Sequence, residues 1–164
     1  MANDRSVRFL SALGGASTSR VLNLFRIASD NASFQSGYVR VGISPDIGTS
    51  YFVTKLLGPA KAREFMFVNE KLDAQQALAI GLVGKVVPDA TLEAEVLAFA
   101  RRLAAGPPIA IRNVKMSINA AETQHMRAVM ELESRNMARC FQTEDAKEAV
   151  RAFLEKRAPQ FKGY

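Results

Sequence analysis

Residues 32–58 read ASFQSGYVRVGISPDIGTSYFVTKLLG. The spacing predicts a short strand, a bend at Gly37, a proline-stiffened turn at Ser44-Pro45-Asp46, and an apolar helix opened by Gly48. An acid at a loop-to-helix junction, beside the free N–H groups of a helix N-terminus, has the layout of a site. Asp46 also has a plainer reading as the cap of the adjoining helix. The residues flanking Asp46 decide between the two.

That string and the sequence C-terminal to it resemble the crotonase family of enoyl-CoA hydratases and isomerases, the string itself matching the segment that carries the second catalytic acid. Blocks similar to the family recur in order. They are Pro59-Ala60-Lys61-Ala62-Arg63-Glu64, then Leu72 to Val83 (LDAQQALAIGLV), then Lys85-Val86-Val87-Pro88. Ala105-Gly106-Pro107-Pro108 comes next, leading to Lys115, and the tail from Thr143 to Gly163 closes the series. The likeness is clear from Ile27-Ala28-Ser29 onward. The family's chains are typically longer, and the part not matched is N-terminal. Gly14-Gly15-Ala16 echoes the Gly-rich turn that supplies an oxyanion donor, whereas Ser17 to Phe25 departs from the usual sequence, with Leu24 where an Asp often stands.

The resemblance implies an α/β, crotonase-like ββα spiral in truncated form, mostly helical with a few short strands. It also implies three parts: a divergent segment 1–26, a core remnant 27–105, and a C-terminal helical region 106–164 that trimerises. The chemistry implied is polarisation of an acyl-CoA thioester by two backbone N–H groups while carboxylates move protons. Gly15 and Ala16 are the expected oxyanion-hole residues. Tyr38 stands where hydratases usually carry an acid, and a phenol is a poor base at neutral pH. Asp46 lies where several isomerases and a dehalogenase carry their working aspartate. Phe153, Lys156 and Lys162 match the tail that holds the adenine end of coenzyme A, so the coenzyme enters as part of the substrate and no separate cofactor is expected.

Three functions are compatible with these residues. One is an isomerase or hydratase-type enzyme of fatty-acid metabolism centred on Asp46. Another is a thioesterase or esterase on the same scaffold, and the third is a non-catalytic oligomerising fragment.

Composition excludes other classes. Hydrophobic residues make up 48% of the 164 residues, with mean hydropathy −0.02, and no apolar run reaches the length of a membrane span. The N-terminus lacks the charged-then-apolar order of a secretory signal, so a cytoplasmic protein is expected. Cys140 stands alone, which excludes an internal disulfide and a cysteine-based zinc site; no metal is expected. Net charge is +6, yet the basic residues are interleaved with acids and form no nucleic-acid motif. A modest positive field suits a small anion such as the phosphates of coenzyme A.

Periodicity predicts a helix from Asp73 to Gly81 with a capping box to Gln76, a strand Val83 to Val87, and a helix from Ala90 to Ala105. Further helices are predicted after Pro107-Pro108, from Thr123 to Phe141 with a stripe of Met126, Met130, Met137 and Phe141, and after a Thr143 cap. Val150, Phe153 and Leu154 of the last helix are expected to pack. His125 reads as a surface or packing residue, and Glu133 as half of an ion pair. So much apolar helix with so little strand favours a homo-oligomer, a trimer or a hexamer.

Overall fold

The computed structural model describes residues 7–9, as backbone, and 25–164. The chain divides into two units, 1–99 and 100–164, with helix α3 crossing the boundary.

In the first unit, β2 (Arg26–Ser29) is the middle strand of a three-stranded sheet. It pairs antiparallel with β1 (Val7–Phe9), Arg8 opposite Ile27, and parallel with β5 (Lys85–Val87), Ala28 opposite Val86. A central strand covered on both faces must be apolar or small, and Ile27, Ala28 and Ser29 are all buried. The second sheet pairs β3 (Ser33–Phe34) with β4 (Leu72–Asp73). Asp73 then caps α2 (Ala74–Ala79) through the capping box expected with Gln76. Gly81, at φ +80°, ends α2 in a Schellman motif: Leu82 N–H donates to Ala77 O at 2.9 Å and Gly81 N–H to Leu78 O at 3.0 Å.

The apolar helix predicted after Gly48 is α1 (Thr49–Arg63). It is broken at Gly58 (φ +75°, ψ 163°), because Pro59 bars its neighbour from the helical region and restarts the helix itself. A π-helical turn, Glu64–Val68, continues it and stops at Asn69 in the left-handed region. Val53 of α1, Ala62 and Met66 form a buried cluster against which Leu57, Phe65 and Tyr38 pack.

Helix α3 (Leu92–Ala104) starts two residues later than the periodicity predicted, because Asp89–Thr91 form a 3₁₀ turn. Its Leu92, with Val96 and Phe99, covers Ile27 and Val87.

The second unit holds α4 (Pro108–Ala121), α5 (Met126–Phe141) and α6 (Glu144–Leu154). Pro108 sits at the first turn of α4, as expected. Helix α5 begins at Met126 and not at Thr123, because Thr123 and Gln124 donate their N–H groups back to Ala120 O and close α4. Between these helices, buried Asn113 donates to Asn136 O at 3.4 Å and Cys140 Sγ at 3.3 Å; Asn136 returns a bond to Asn113 O. Thr143 caps α6, its hydroxyl accepting from Ala146 N–H at 3.1 Å.

After α6 the chain folds back along it. Buried Asp145 accepts from the N–H groups of Lys162 (2.6 Å) and Gly163 (2.9 Å), while Glu144 N–H donates to Tyr164 O at 2.8 Å. Among the described residues, no helix is long and apolar enough to cross a membrane.

Candidate active site

The 37–49 segment forms around two turns. Tyr38 O accepts from the N–H groups of Val41 (3.1 Å) and Ile43 (3.2 Å), coiling residues 39–41 into a 3₁₀ turn. Asp46 O accepts from Thr49 N–H at 2.9 Å, closing a four-residue turn whose central residues, Ile47 (φ +49°) and Gly48 (φ +75°), are both left-handed. Gly48 suits that position twice over, since a Cβ there would lie 3.1 Å from the Phe52 ring. Ile47 does not: a β-branched residue at positive φ costs about 1–3 kcal/mol.

This turn directs Asp46 toward Tyr38. The Tyr38 hydroxyl donates to Asp46 Oδ1 at 3.1 Å and also lies 3.1 Å from Thr49 Oγ1, which is 2.9 Å from Asp46 O. These three contacts share two hydroxyl protons. The phenol's goes to the carboxylate, the charge-assisted acceptor, and the threonine's is left between Asp46 O and the phenol oxygen. Tyr38 is half-buried against the Val53–Ala62–Met66 cluster, whereas Asp46 is exposed. A fixed phenol thus holds one carboxylate oxygen and leaves the other facing solvent.

The plainer reading of Asp46 fails. Gly48 is the N-cap of α1, and among the described residues the Asp46 carboxylate bonds to the Tyr38 hydroxyl and not to an N–H of that helix. Tyr38 and Asp46 are therefore brought together by the fold. Gly15 and Ala16 lie outside the described residues.

The other predicted residues belong to the second unit. Phe153 is 82% exposed, with Val150 and Leu154 also exposed, so among the described residues the expected packing of these three is not made. Lys156 is exposed with φ +53°, and Lys162 is exposed with its backbone held by Asp145. Behind them, Glu148 receives a forked pair of bonds from Arg157, 2.5 Å to Oε1 and 3.0 Å to Oε2, and Gln160 N–H adds a third at 3.0 Å. The Arg157 guanidinium, then the Gln160 N–H, pull the Glu148 carboxyl down to about 2. His125 and Glu133 are exposed. The stripe Met126, Met130, Met137 and Phe141 is likewise exposed.

Sequence reasoning missed two residues. Thr49 was visible as a hydroxyl three residues after an acid, the spacing of a side-chain turn. Asn69 accepts at Oδ1 from Gly37 N–H (2.8 Å) and from the Ser36 hydroxyl (3.0 Å), a contact that no local pattern announces.

Comparison with known proteins bears on the fold and the family. A model of the enoyl-CoA hydratase/isomerase family matches residues 11–164. A probable enoyl-CoA hydratase of Rhodobacter capsulatus is 35% identical over 159 residues, covering 94% of this chain and 62% of its own length. The 1,2-epoxyphenylacetyl-CoA isomerase of Escherichia coli is 34% identical over 137 residues, covering 84% of this chain and 52% of its own. The crystal structure of a putative enoyl-CoA hydratase/isomerase from Mycobacterium abscessus superposes with a TM-score of 0.85 at 28% identity, over 90% of this chain and 56% of that one. The chain thus spans between half and two thirds of the length of these relatives, with the crotonase fold over the part shared. A family match over all but the first ten residues, on a fold that superposes this well, leaves one assignment: the chain belongs to the enoyl-CoA hydratase/isomerase family.

Proposed function

We propose that the chain performs enolate chemistry on an acyl-CoA thioester, with Asp46 as the proton-moving group and isomerisation of a double bond as the favoured reaction. The observation that carries this is the Tyr38–Asp46 hydrogen bond on a strained, solvent-facing turn. The Asp46 carboxylate takes a proton from the substrate α-carbon, and the freed electron pair spreads into the thioester carbonyl. The same carboxyl group then returns the proton at the γ-carbon, so atoms and charge balance without a cofactor. Tyr38, neutral and donating, orients the carboxylate rather than replacing the hydratase acid. Crotonyl-CoA hydration, which needs a second acid, is accordingly far slower than isomerisation. Phe153, Lys156 and Lys162 are proposed to receive the adenine and phosphate end of coenzyme A, an aromatic face beside ammonium groups. The exposed stripe of α5 is proposed to assemble copies of the chain.

Asp46→Asn tests the reading, because the amide oxygen still accepts from Tyr38 while the basic oxygen is gone. Turnover of a 3-enoyl-CoA falls by about 100-fold or more, and the melting temperature stays within about 4 °C, the equivalent of one exposed hydrogen bond. Unchanged turnover refutes the assignment.

A further inference from the structure

Tyr38 needs more than its ring contacts to reach Asp46, since its backbone follows Gly37, a left-handed glycine at φ +78° with open space where a Cβ would sit. What fixes that glycine comes from 32 residues further along the chain, at the end of the π-helical turn. Asn69 stands there at φ +58°, half-buried, where asparagine is one of the few residues to tolerate a left-handed backbone. Its Oδ1 accepts from Gly37 N–H at 2.8 Å and from the Ser36 hydroxyl at 3.0 Å, which fills both lone pairs. Its main-chain O accepts from Gln35 Nε2 at 2.7 Å, and the Ser36 hydroxyl also lies 3.4 Å from Met66 O. Three consecutive residues, Gln35 to Gly37, are thereby tied to the π turn. Met66 of the same turn belongs, with Val53 and Ala62 of α1, to the buried cluster against which Tyr38 packs. The backbone before Tyr38 is thus held by the π turn, and the cluster beneath Tyr38 includes a residue of that turn.

We infer that Asn69 is a positioning residue for the Tyr38–Asp46 pair, acting through the Gly37 peptide; the kinetic part of this inference rests on the function proposed above. Two substitutions separate its side chain from its backbone. Asn69→Gly keeps the left-handed conformation and removes the acceptor. Asn69→Asp keeps an oxygen acceptor at the Oδ1 position and tolerates the conformation.

The test has a structural arm and a kinetic arm. In a Tyr51→Phe/Tyr164→Phe background, Tyr38 is the one remaining tyrosine, and biosynthetic 3-fluorotyrosine gives a single fluorine resonance from it. Asn69→Gly shifts or broadens that resonance and Asn69→Asp leaves it in place. With a 3-enoyl-CoA substrate, Asn69→Gly lowers kcat by about tenfold or more with KM within about twofold, the effect of a misplaced catalytic group. Asn69→Asp restores kcat. In a Tyr38→Phe background Asn69→Gly costs little further, because the group it positions has gone. A fluorine resonance unmoved by Asn69→Gly overturns the inference, as does an equal kcat loss with and without the Tyr38 hydroxyl. Should the parent protein prove inactive, the proposed function falls and the fluorine arm alone decides the role of Asn69.

Discussion

Replacing Lys156 with glycine sets stability against binding at one residue. The end of α6 repeats the motif that ends α2. Arg157 N–H donates to Ala152 O at 3.0 Å and Lys156 N–H to Phe153 O at 3.2 Å, the paired bonds of a Schellman motif. In α2 the left-handed position of that motif is Gly81, at φ +80°; in α6 it is Lys156, at φ +53°. A non-glycine residue there costs about 1–2 kcal/mol. Glycine removes that strain but loses about 0.4–1 kcal/mol to the freedom it gains in the unfolded chain. The net gain is about 0–1.6 kcal/mol, or up to about 6 °C in melting temperature for a chain of this size. If the Lys156 ammonium meets a phosphate of coenzyme A, the same substitution removes one exposed ion pair, about 0.2–1 kcal/mol. Affinity for free coenzyme A then falls by about 1.4- to fivefold, and by less at high salt. Thermal melting and calorimetric titration of the two proteins read both effects. A lower melting temperature refutes the strain argument, and an unchanged affinity refutes the binding role.

Glu148 gives a pH signature. Its folded-state pKa of about 2 lies below the ordinary 4.5, so its contribution is present above about pH 4.5 and is lost as pH falls toward 2. Melting curves across that window should show a decline that Glu148→Gln flattens, while the two proteins should lose stability in parallel if the Arg157 fork does not persist in solution. Ile47→Gly relieves the strained turn and should raise the denaturation midpoint; a fall would mean that the Ile47 side chain contributes more than its φ costs. Static light scattering should find a multimer at micromolar concentration, converted to smaller species by Met137→Asp with Phe141→Asp. A monomeric parent protein would dismiss α5 as an assembly surface.

Much of the fold was legible where a local rule decides it. The Asp73–Gln76 capping box, Gly81 at a helix end, Pro108 at a first turn and the Thr143 cap are each set by residues within a few positions of one another. The position of Asp46 beside a turn was legible for the same reason. Errors appeared where closure depends on more distant groups or on weak preferences. Thr123 fits a helix by periodicity, but its N–H is taken by Ala120 O at the end of α4. Val150, Phe153 and Leu154 look like core because they are apolar, and nothing in a helical period says whether the covering surface lies in the same chain. The Asn69–Gly37 bond requires knowing that two segments distant in sequence lie side by side.

Backbone strain joins these local and distant features. Among the described residues, three that are not glycine have positive φ: Ile47, Asn69 and Lys156. Glycine relieves such a conformation at little steric cost, and the chain uses it at Gly37, Gly42, Gly48 and Gly81. Side chains retained against that cost point to a return elsewhere. Ile47 adjoins the carboxylate that meets Tyr38; Asn69 supplies the oxygen that holds Gly37; Lys156 carries an ammonium near exposed Phe153, on the tail that Glu148 and Asp145 bind down. In Asn69 the return is visible as two hydrogen bonds to the side chain. In Lys156 an anionic ligand meeting the ammonium would supply it. The glycine substitutions at these three positions therefore have one common logic. Each leaves the backbone path in place and removes a side chain, so a loss of function without a loss of folding identifies what that side chain is for.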